Sequence, residues 1–250
     1  MSNQSEMSKR QARREQIKRK EARGKWIGIG LVAFGAIFLA FLIIYPNVKP
    51  VAAVATAAPQ LYPKADKTAL GDPNAPIRID TYEDFQCPAC RAFTLDTEPQ
   101  IIKDLVETGK VYYVFHNFPF IDDINPSVKT ASDGGESDQT ANAAMCAADQ
   151  GKFWEMHGTI FANWNGENQG AYANDRLTAF AETIGLDMTA FKACFKANKF
   201  KADIQADMNA GEAAGVNGTP SVFVNGVIVN PGYIPSYDDI LKAIESSGPK

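Results

Sequence analysis

The chain has 250 residues, of which 45% are hydrophobic and 22% charged. This is enough apolar material for a packed core, and it argues against a disordered chain. Residues 1–25 hold nine basic and three acidic side chains, whereas the remainder holds 16 basic and 26 acidic ones. An acidic body gives no electrostatic reason to bind nucleic acid, so no nucleic-acid partner is expected.

The first predicted element is a transmembrane anchor over residues 26–45. These twenty residues carry no charge, and a helix of that length spans about 30 Å, the thickness of a bilayer core. The basic segment 1–25 precedes it, so the positive-inside rule places the N-terminus in the cytoplasm. We therefore expect a single-pass protein of the cell membrane, with everything after residue 45 on the periplasmic or outer face.

A cleaved signal peptide is the alternative to an anchor, with Ala55-Thr56-Ala57 as the small-residue cleavage site. The apolar run is longer than a signal core of about 7–15 residues, and the motif lies ten residues beyond its end. Both observations favour a retained anchor. A nucleic-acid patch is the alternative for the basic segment alone, and its place directly before the apolar run disfavours it.

Residues 46–69 predict a linker, because four prolines break any helix there and the Ala-rich stretch between them has no apolar stripe. A flexible chain of this length reaches about 25–30 Å on average. It would let the domain that follows, residues 70–250, move over the membrane surface while staying close to it.

From residue 70 the pattern is that of an α/β domain. Strands are predicted over 77–82, 111–115, 221–224 and 227–229, with Asn225-Gly226 as a hairpin turn between the last two. A helix starts at Pro88, is interrupted at Pro99 and ends at Gly109. Residues 122–138 predict a loop, and further helices are predicted over 140–150, 152–164, 175–183, 188–196, 200–214 and 236–246. This order suits a small sheet covered by helices, with an all-helical insertion at about 137–200.

Chemistry is indicated by the segment Cys87-Pro88-Ala89-Cys90. Cys87 would cap the helix, where unpaired N–H groups and partial positive charge favour thiolate over thiol. In such motifs the thiol pKa falls from about 8.5 to roughly 3.5–7, which gives a nucleophile and a good leaving group. Cys90, one turn further along, is then the resolving thiol that attacks or releases a mixed disulfide at Cys87.

Two other interpretations of the pair are a zinc half-site and an inert structural disulfide. Zinc would need two more ligands at suitable spacing. The remaining nitrogen and sulfur candidates do not come as a close pair; they are Cys146, Cys194, His116 and His157. We therefore expect no metal and no cofactor other than the redox-active cysteine pair itself.

Several segments, spread over about residues 70–245, resemble the DsbA-type oxidoreductases of the thioredoxin fold. They are Gly71-Asp72-Pro73-Asn74-Ala75-Pro76, Asp84-Phe85-Gln86-Cys87-Pro88-Ala89-Cys90, Asn117-Phe118-Pro119, Gln150-Gly151-Lys152-Phe153-Trp154 and Gly218-Thr219-Pro220. The resemblance implies a thioredoxin-like sheet with a helical insertion. It also implies a cis-proline loop, Thr219-Pro220, that faces the cysteines and binds extended substrate segments. From the residues alone, a trans proline that starts a strand is the alternative.

Two positions depart from the family pattern. Some members carry a histidine just before the second cysteine, where this chain has Ala89, so we expect a less depressed pKa and a milder oxidant. Related proteins often bury an acid six residues before the first cysteine, where this chain has Thr81. Glu83 and Asp84 are nearby, but the sequence does not show that either replaces that acid.

Cys146 and Cys194 lie 48 residues apart on two different predicted helices. That spacing excludes a tight redox pair and favours a structural disulfide, which in the chain-entropy model contributes on the order of 4 kcal/mol. Two free, buried cysteines are the alternative.

Four aromatic residues are spaced like a helix face, namely Phe153, Trp154, Phe161 and Trp164. We predict that they pack in the core rather than line a substrate groove. His157 and His116 are predicted to be structural rather than catalytic.

The function predicted from these features is an oxidase that gives its disulfide to exported polypeptides with free cysteines. The resemblance implies reoxidation by a quinone-linked membrane protein of the DsbB or vitamin-K-epoxide-reductase type. A reductase or isomerase is the alternative within the same chemistry, although isomerases of this fold usually carry a dimerisation domain that this sequence does not show. A non-catalytic binding or chaperone module is the alternative from another class, and the intact cysteine pair argues against it.

Overall fold

In the computed structural model of this chain, residues 2–44, 52–124 and 135–248 are described. The helices are α1 (Ser2–Ile44), α2 (Pro88–Asp96), α3 (Glu98–Ile101), α4 (Ile121–Ile124), α5 (Glu136–Ala148), α6 (Phe153–Ala162), α7 (Asn174–Thr183), α8 (Met188–Lys196), α9 (Lys201–Ala213) and α10 (Tyr237–Ser247). The strands are β1 (Ala69–Leu70), β2 (Ile77–Glu83), β3 (Val111–Asn117), β4 (Ser221–Val224) and β5 (Val227–Val229). A π-helical turn, Ile102–Val106, follows α3.

Helix α1 belongs to a unit of its own. Within it, the 25 residues Lys18–Leu42 are long and apolar enough to cross a membrane. An N-terminal signal sequence satisfies the same criterion of length and composition.

The domain that follows is organised around a five-stranded sheet in the order β1-β3-β2-β4-β5. Strands β2 and β3 are parallel, and the other three pairs are antiparallel. The two parallel strands lie in the interior of the sheet, and five of the seven residues in each are buried. The four predicted strands are all present. Strand β1 is additional, and two residues are too few to show any periodicity.

The hairpin between β4 and β5 turns at Asn225-Gly226, as predicted. Both residues have positive φ (49° and 83°), as a two-residue turn of this kind requires. The Asn225 side chain also accepts a hydrogen bond from the backbone N–H of Arg78 at 2.9 Å. The turn is thereby fixed against the start of β2.

Two predicted helix boundaries differ from the structure. The break after α2 falls at Thr97 rather than at Pro99, because Pro99 sits in the first turn of α3, where its missing N–H needs no partner. Helix α5 begins at Glu136 instead of residue 140. The predicted loop 122–138 is therefore partly helical, and its residues 125–134 lie outside the described part of the chain.

Helices α5 to α8 form the predicted all-helical insertion. Phe153, Trp154 and Phe161 of α6 are fully buried, as predicted for core residues. Cys146 of α5 and Cys194 of α8 are joined in a disulfide. The insertion is thus held by an apolar core and by one covalent cross-link.

The predicted linker needs correction. Residues 52–63, called the strap below, lie on helices α6 and α7 instead of forming a flexible tether. Ala55 exchanges two backbone hydrogen bonds with the Asn163 side chain, at 2.9 and 2.8 Å. Ala57 packs closely against Gly158. A Cβ atom added to Gly158 would lie 3.0 Å from the Cβ atom of Ala57. The folded domain therefore starts at about residue 52 and not at 70. The sequence does not predict this contact, because hydrogen bonds between the backbone and a side-chain amide leave no periodic pattern in an alanine- and proline-rich segment.

Candidate active site

Cys87 occupies the junction between β2 and α2. It is the N-cap of α2, with extended backbone angles (φ −69°, ψ 122°), and Pro88 starts the helix. The first N–H groups of a helix are free because no preceding turn accepts their hydrogen bonds. Here the N–H groups of Ala89 and Cys90 interact with the Cys87 sulfur. Cys87 is 6% exposed and Cys90 is fully buried, and both are free thiols in this structure. Only Cys87 is within reach of another protein.

The two thiols have opposite acidities. A hydrogen bond from the Cys90 thiol is the largest influence on Cys87 and lowers its pKa to about 6 against the opposing effect of burial. The Thr219 hydroxyl and the N–H groups of Cys90 and Ala89 lower this pKa further. Burial raises the pKa of Cys90 well above its ordinary value. In the reduced protein, Cys87 is therefore the thiolate and Cys90 the thiol.

The Thr219-Pro220 peptide bond is cis, and its loop lies directly against the cysteines. The Thr219 carbonyl oxygen is 3.3 Å from the Cys87 sulfur. The buried Thr219 hydroxyl has no hydrogen-bond partner among the described residues, and the Thr219 side chain lowers the pKa of both thiols. The Thr219 side chain thus contributes to the stabilisation of the Cys87 thiolate.

A groove beside Cys87 is lined by Ala89, the cis-proline loop, and the exposed side chains of Tyr233 and Ile234. Tyr233 and Ile234 were not singled out from the sequence. They lie in the turn after β5, outside any predicted helix or strand, so no periodicity marked them as part of the site.

The loop that leads into Cys87 is held by the helical insertion. The Gln86 side chain donates to Asp122 at 3.0 Å and to Ser137 at 2.9 Å. The Trp164 indole N–H donates to the Gln86 carbonyl oxygen at 2.7 Å. Trp164 is only partly buried, but it packs against the same core as Phe153, Trp154 and Phe161, so the prediction of core packing holds for it as well.

A buried carboxyl group lies beneath the cysteines, at a different position from the one the family pattern indicates. Glu83 is 1% exposed, and burial raises its pKa. It interacts with the Cys90 thiol, and Thr81, at the family position, donates a hydrogen bond to it. Residues 81 and 83 point to the same face of β2, since side chains alternate along a strand. An acid two residues later therefore reaches the same space, which the sequence alone did not settle.

Neither histidine belongs to this site. His116 lies on the opposite face of the sheet and contacts Asp80 at 2.8 Å and Asp207 at 3.2 Å. Burial opposes its charged form, but the two carboxylates outweigh burial and raise the pKa of His116 to about 9. The charged form of His116 therefore stabilises the folded protein below pH 6.5, and this stabilisation is lost as the pH rises through about 9. His157 is buried, and burial lowers its pKa to about 3.

Across residues 2–44, 52–124 and 135–248, no group of three or more His, Cys, Asp and Glu side chains is arranged to hold a metal ion.

We expect alkylation of Cys87 in the reduced protein to follow a titration midpoint near pH 6. The thiolate is the reacting species, so the rate reports its fraction. Iodoacetamide labelling across pH 4–9, followed by peptide mass spectrometry, measures it. Thr219→Val removes the hydroxyl at nearly constant volume and should move the midpoint upward. A midpoint near that of a free cysteine would remove the electrostatic account of this site.

Comparison with known proteins agrees with this geometry. A thioredoxin family model matches residues 64–246. The "Probable disulfide bond formation protein D" of Bacillus cereus is 28% identical over 190 residues, which cover 74% of this chain and 81% of that protein. The "Disulfide bond formation protein D" of Bacillus subtilis is 24% identical over 177 residues, which cover 70% and 74%.

Solved structures share the fold. Oxidised BdbD from Bacillus subtilis superposes with a TM-score of 0.60 at 22% identity, covering 77% of this chain and 98% of that one. DsbA from Chlamydia trachomatis superposes with a TM-score of 0.58 at 20% identity, covering 79% and 97%. The predicted fold class, a thioredoxin-like sheet with a helical insertion, is confirmed. The chain therefore belongs to the thioredoxin family, as a DsbA-type thiol:disulfide oxidoreductase.

Proposed function

We propose that this oxidoreductase works as an oxidase, with Cys87 as the sulfur that the substrate attacks and that later leaves as thiolate, and Cys90 as the resolving thiol. The observation that carries the proposal is the low pKa of Cys87 beside a Cys90 whose pKa is raised. Stabilising the Cys87 thiolate stabilises the reduced protein, so the disulfide form becomes the stronger oxidant. The names of the curated relatives point in the same direction.

The reaction starts from the disulfide between Cys87 and Cys90. A substrate thiolate attacks the Cys87 sulfur, the intramolecular S–S bond breaks, and the Cys90 sulfur leaves with the electron pair. Glu83, which burial holds protonated, donates its proton to that sulfur. A second substrate thiolate then attacks the substrate sulfur of the mixed disulfide and expels the Cys87 thiolate. Two electrons have passed from the substrate dithiol to the protein.

Substrate binding is assigned to the groove beside Cys87. An extended segment lying along the cis-proline loop would bring its cysteine to the exposed edge of the Cys87 sulfur. Tyr233 and Ile234 offer apolar contact there without demanding one particular side chain. This suits a protein that acts on many polypeptides rather than on one.

Two assays run side by side test the direction of electron flow. The oxidised protein is mixed with a reduced, unfolded protein that needs disulfides for activity, and the reduced form is tested for insulin reduction with dithiothreitol as the source of electrons. An oxidase restores activity in the first assay, in proportion to the amount of oxidised protein added. Fast insulin reduction with no oxidation would support the reductase alternative, and a binding module would do neither.

Oxidising turnover needs both cysteine-containing substrate proteins and a partner that reoxidises the pair. We propose that the partner is a quinone-linked membrane protein of the DsbB or vitamin-K-epoxide-reductase type and that α1 anchors the enzyme in the same membrane, facing outward. The apolar span in α1 and the basic residues before it support this arrangement.

We expect the protein to resist carbonate extraction and the domain to be digested by protease added to spheroplasts. Lysozyme-treated cells with intact inner membranes supply the sample, and a cytoplasmic enzyme serves as the protected control. A soluble product that begins near residue 58 would show cleavage instead of anchoring.

A further inference from the structure

A cationic side chain lies beside the active site, on a different side of Cys87 from the groove. Arg91 of α2 follows Cys90 directly, and its backbone N–H donates to the Cys87 carbonyl oxygen at 3.0 Å. Residues four apart share one face of a helix, and their side chains tilt towards the start of the helix. Ala89, which lines the groove, lies about 200° around the helix axis from Arg91. Arg91 and the groove therefore flank Cys87 from two sides.

The Arg91 guanidinium is held in place by two contacts with the insertion. Its Nε atom donates at 3.3 Å to the Phe161 carbonyl oxygen, one of the last carbonyls of α6, where a helix end carries partial negative charge. Its Cζ atom lies 5.7 Å from the centroid of the Trp164 ring, within the range of a cation–π contact. The Trp164 indole in turn donates to the Gln86 carbonyl oxygen, next to Cys87. The guanidinium and the active-site loop are therefore held by the same tryptophan.

The outer end of this guanidinium is open. No carboxylate among the described residues lies within ion-pair distance of Arg91. Its two Nη nitrogens have no hydrogen-bond partner in that part of the chain, and they are accessible to solvent. A guanidinium fixed at Nε presents its remaining donors as a rigid fork, which fits a carboxylate with two hydrogen bonds. Because the side chain is already ordered, little further entropy is lost when a carboxylate binds.

We propose that Arg91 binds a carboxylate of the polypeptide that reacts at Cys87, so that the enzyme prefers substrates with an acidic residue close to the reacting cysteine. The proposal rests on the oxidase function above and specifies its substrates. The described residues that line the groove on the other side of Cys87 are all uncharged, so the groove suits the apolar part of the same segment. An extended chain advances about 3.3 Å per residue, which places the acidic residue within about three residues of the cysteine.

The overall charge of the domain does not favour such substrates. The chain after residue 25 holds 16 basic and 26 acidic side chains, so its field repels an acidic polypeptide at long range. A preference for acidic substrates therefore requires a local contact, and Arg91 is placed to provide it.

Short peptides with one cysteine test this contact. One series carries a single glutamate at each position from three residues before to three residues after the cysteine, and a matched series carries glutamine there. Each reduced peptide is mixed with the oxidised protein, and mass spectrometry after acid quenching gives the rate at which the 87–90 disulfide opens. Dividing each rate by that for dithiodipyridine, a small uncharged disulfide, removes the effect of glutamate on the peptide thiol itself.

We expect at least one glutamate position to raise the normalised rate on the order of fivefold over glutamine, as for a partly buried charge-assisted pair. The rise should be confined to one side of the cysteine, because the groove takes the other side of the peptide. Arg91→Gln should abolish the difference between glutamate and glutamine. Arg91→Lys keeps the charge but loses the planar fork, so it should keep only part of that difference.

The matched control is Lys103→Gln, which removes one positive charge elsewhere. Lys103 is exposed in the π-helical turn that precedes β3. Because β3 runs parallel to β2, the start of β3 lies at the other end of the sheet from the end of β2 that leads to Cys87. This variant should keep the full preference of the parent protein.

Three outcomes would overturn the proposal. They are equal rates for glutamate and glutamine at every position in the parent protein, a preference that survives Arg91→Gln, and an equal loss of preference in Lys103→Gln. Each comparison of glutamate with glutamine is made within one variant, so a general loss of activity or of folded protein cannot imitate the result.

The reverse exchange separates this proposal from the oxidase function. The reduced protein attacks the disulfide that joins each peptide to thiopyridine, and the released thiopyridone is followed by its absorbance. The same preference for glutamate should appear, because the peptide occupies the same place beside Cys87. If no peptide opens the 87–90 disulfide while the reduced protein still prefers glutamate, the oxidase function fails and the role of Arg91 stands.

Discussion

Replacing Cys87 by serine should reduce disulfide exchange to background, whereas replacing Cys90 by serine should trap mixed disulfides with substrate. Cys87 is the sulfur that another protein can reach, and its thiolate is the stabilised one. Serine cannot form the S–S bond, so Cys87→Ser has no covalent chemistry left. In Cys90→Ser the attack on substrate disulfides still occurs, but no internal thiol is present to release the product.

The measurement is non-reducing electrophoresis of cells or extracts that express each variant, with the double variant Cys87→Ser/Cys90→Ser as the baseline. Mass spectrometry of the trapped species should find substrate linked through Cys87. Equal trapping by the two single variants would contradict the assigned roles. Circular dichroism of each variant separates lost chemistry from lost folding, since neither thiol is a structural cross-link.

Fold prediction succeeded where the sequence has strong local signals. Strand β3 starts with a run of β-branched and aromatic residues, strand β2 alternates Ile with charged residues, and Asn225-Gly226 specifies its own turn. Pro88 marked the start of α2 and thereby the place of Cys87. The cis geometry before Pro220 came only from the family resemblance, because a Thr-Pro dipeptide by itself favours trans.

Features that depend on tertiary contacts escaped the sequence analysis. The strap is held by Asn163 and by space left at Gly158, both about a hundred residues away along the chain. The side chain of Gln86 joins the active-site loop to the insertion, a role that the sequence analysis did not assign to it. Polar contacts of this kind have no sequence period and no characteristic composition, so they cannot be predicted from a single sequence.

The buried acid shows how a one-dimensional pattern can mislead. The family position corresponds to Thr81, and the sequence leaves open whether the nearby Glu83 or Asp84 replaces the acid. In three dimensions Thr81 supports Glu83, whose carboxyl group reaches the space beneath Cys90 from two residues further along the same strand face. The buried carboxyl group is present, but it is carried by residue 83 instead of residue 81.

The cross-link between Cys146 and Cys194 should contribute strongly to stability and little to reactivity. It closes a loop of 48 residues that contains α6 and α7, and the chain-entropy model assigns such a loop about 4 kcal/mol. The double variant Cys146→Ala/Cys194→Ala should therefore unfold about 8–16 °C lower than the parent protein, given the usual change in Tm per kcal/mol for a domain of this size.

The pKa of Cys87 should be nearly unchanged in that variant, because the start of α2 that lowers it belongs to the sheet domain and not to the insertion. Calorimetry and the pH profile of Cys87 alkylation, measured on the same samples below the lower Tm, separate the two effects. A small thiol reductant provides a further check on the parent protein: it should open the 87–90 disulfide long before the buried Cys146 sulfur reacts, since structural bridges have potentials below about −300 mV. An unaltered Tm in the double variant would show that the insertion's apolar core, formed around Phe153, Trp154 and Phe161, holds it together without the cross-link. A shifted alkylation midpoint would instead show that the bridge sets the geometry of the active-site loop, through the contacts of Gln86 with the start of α5.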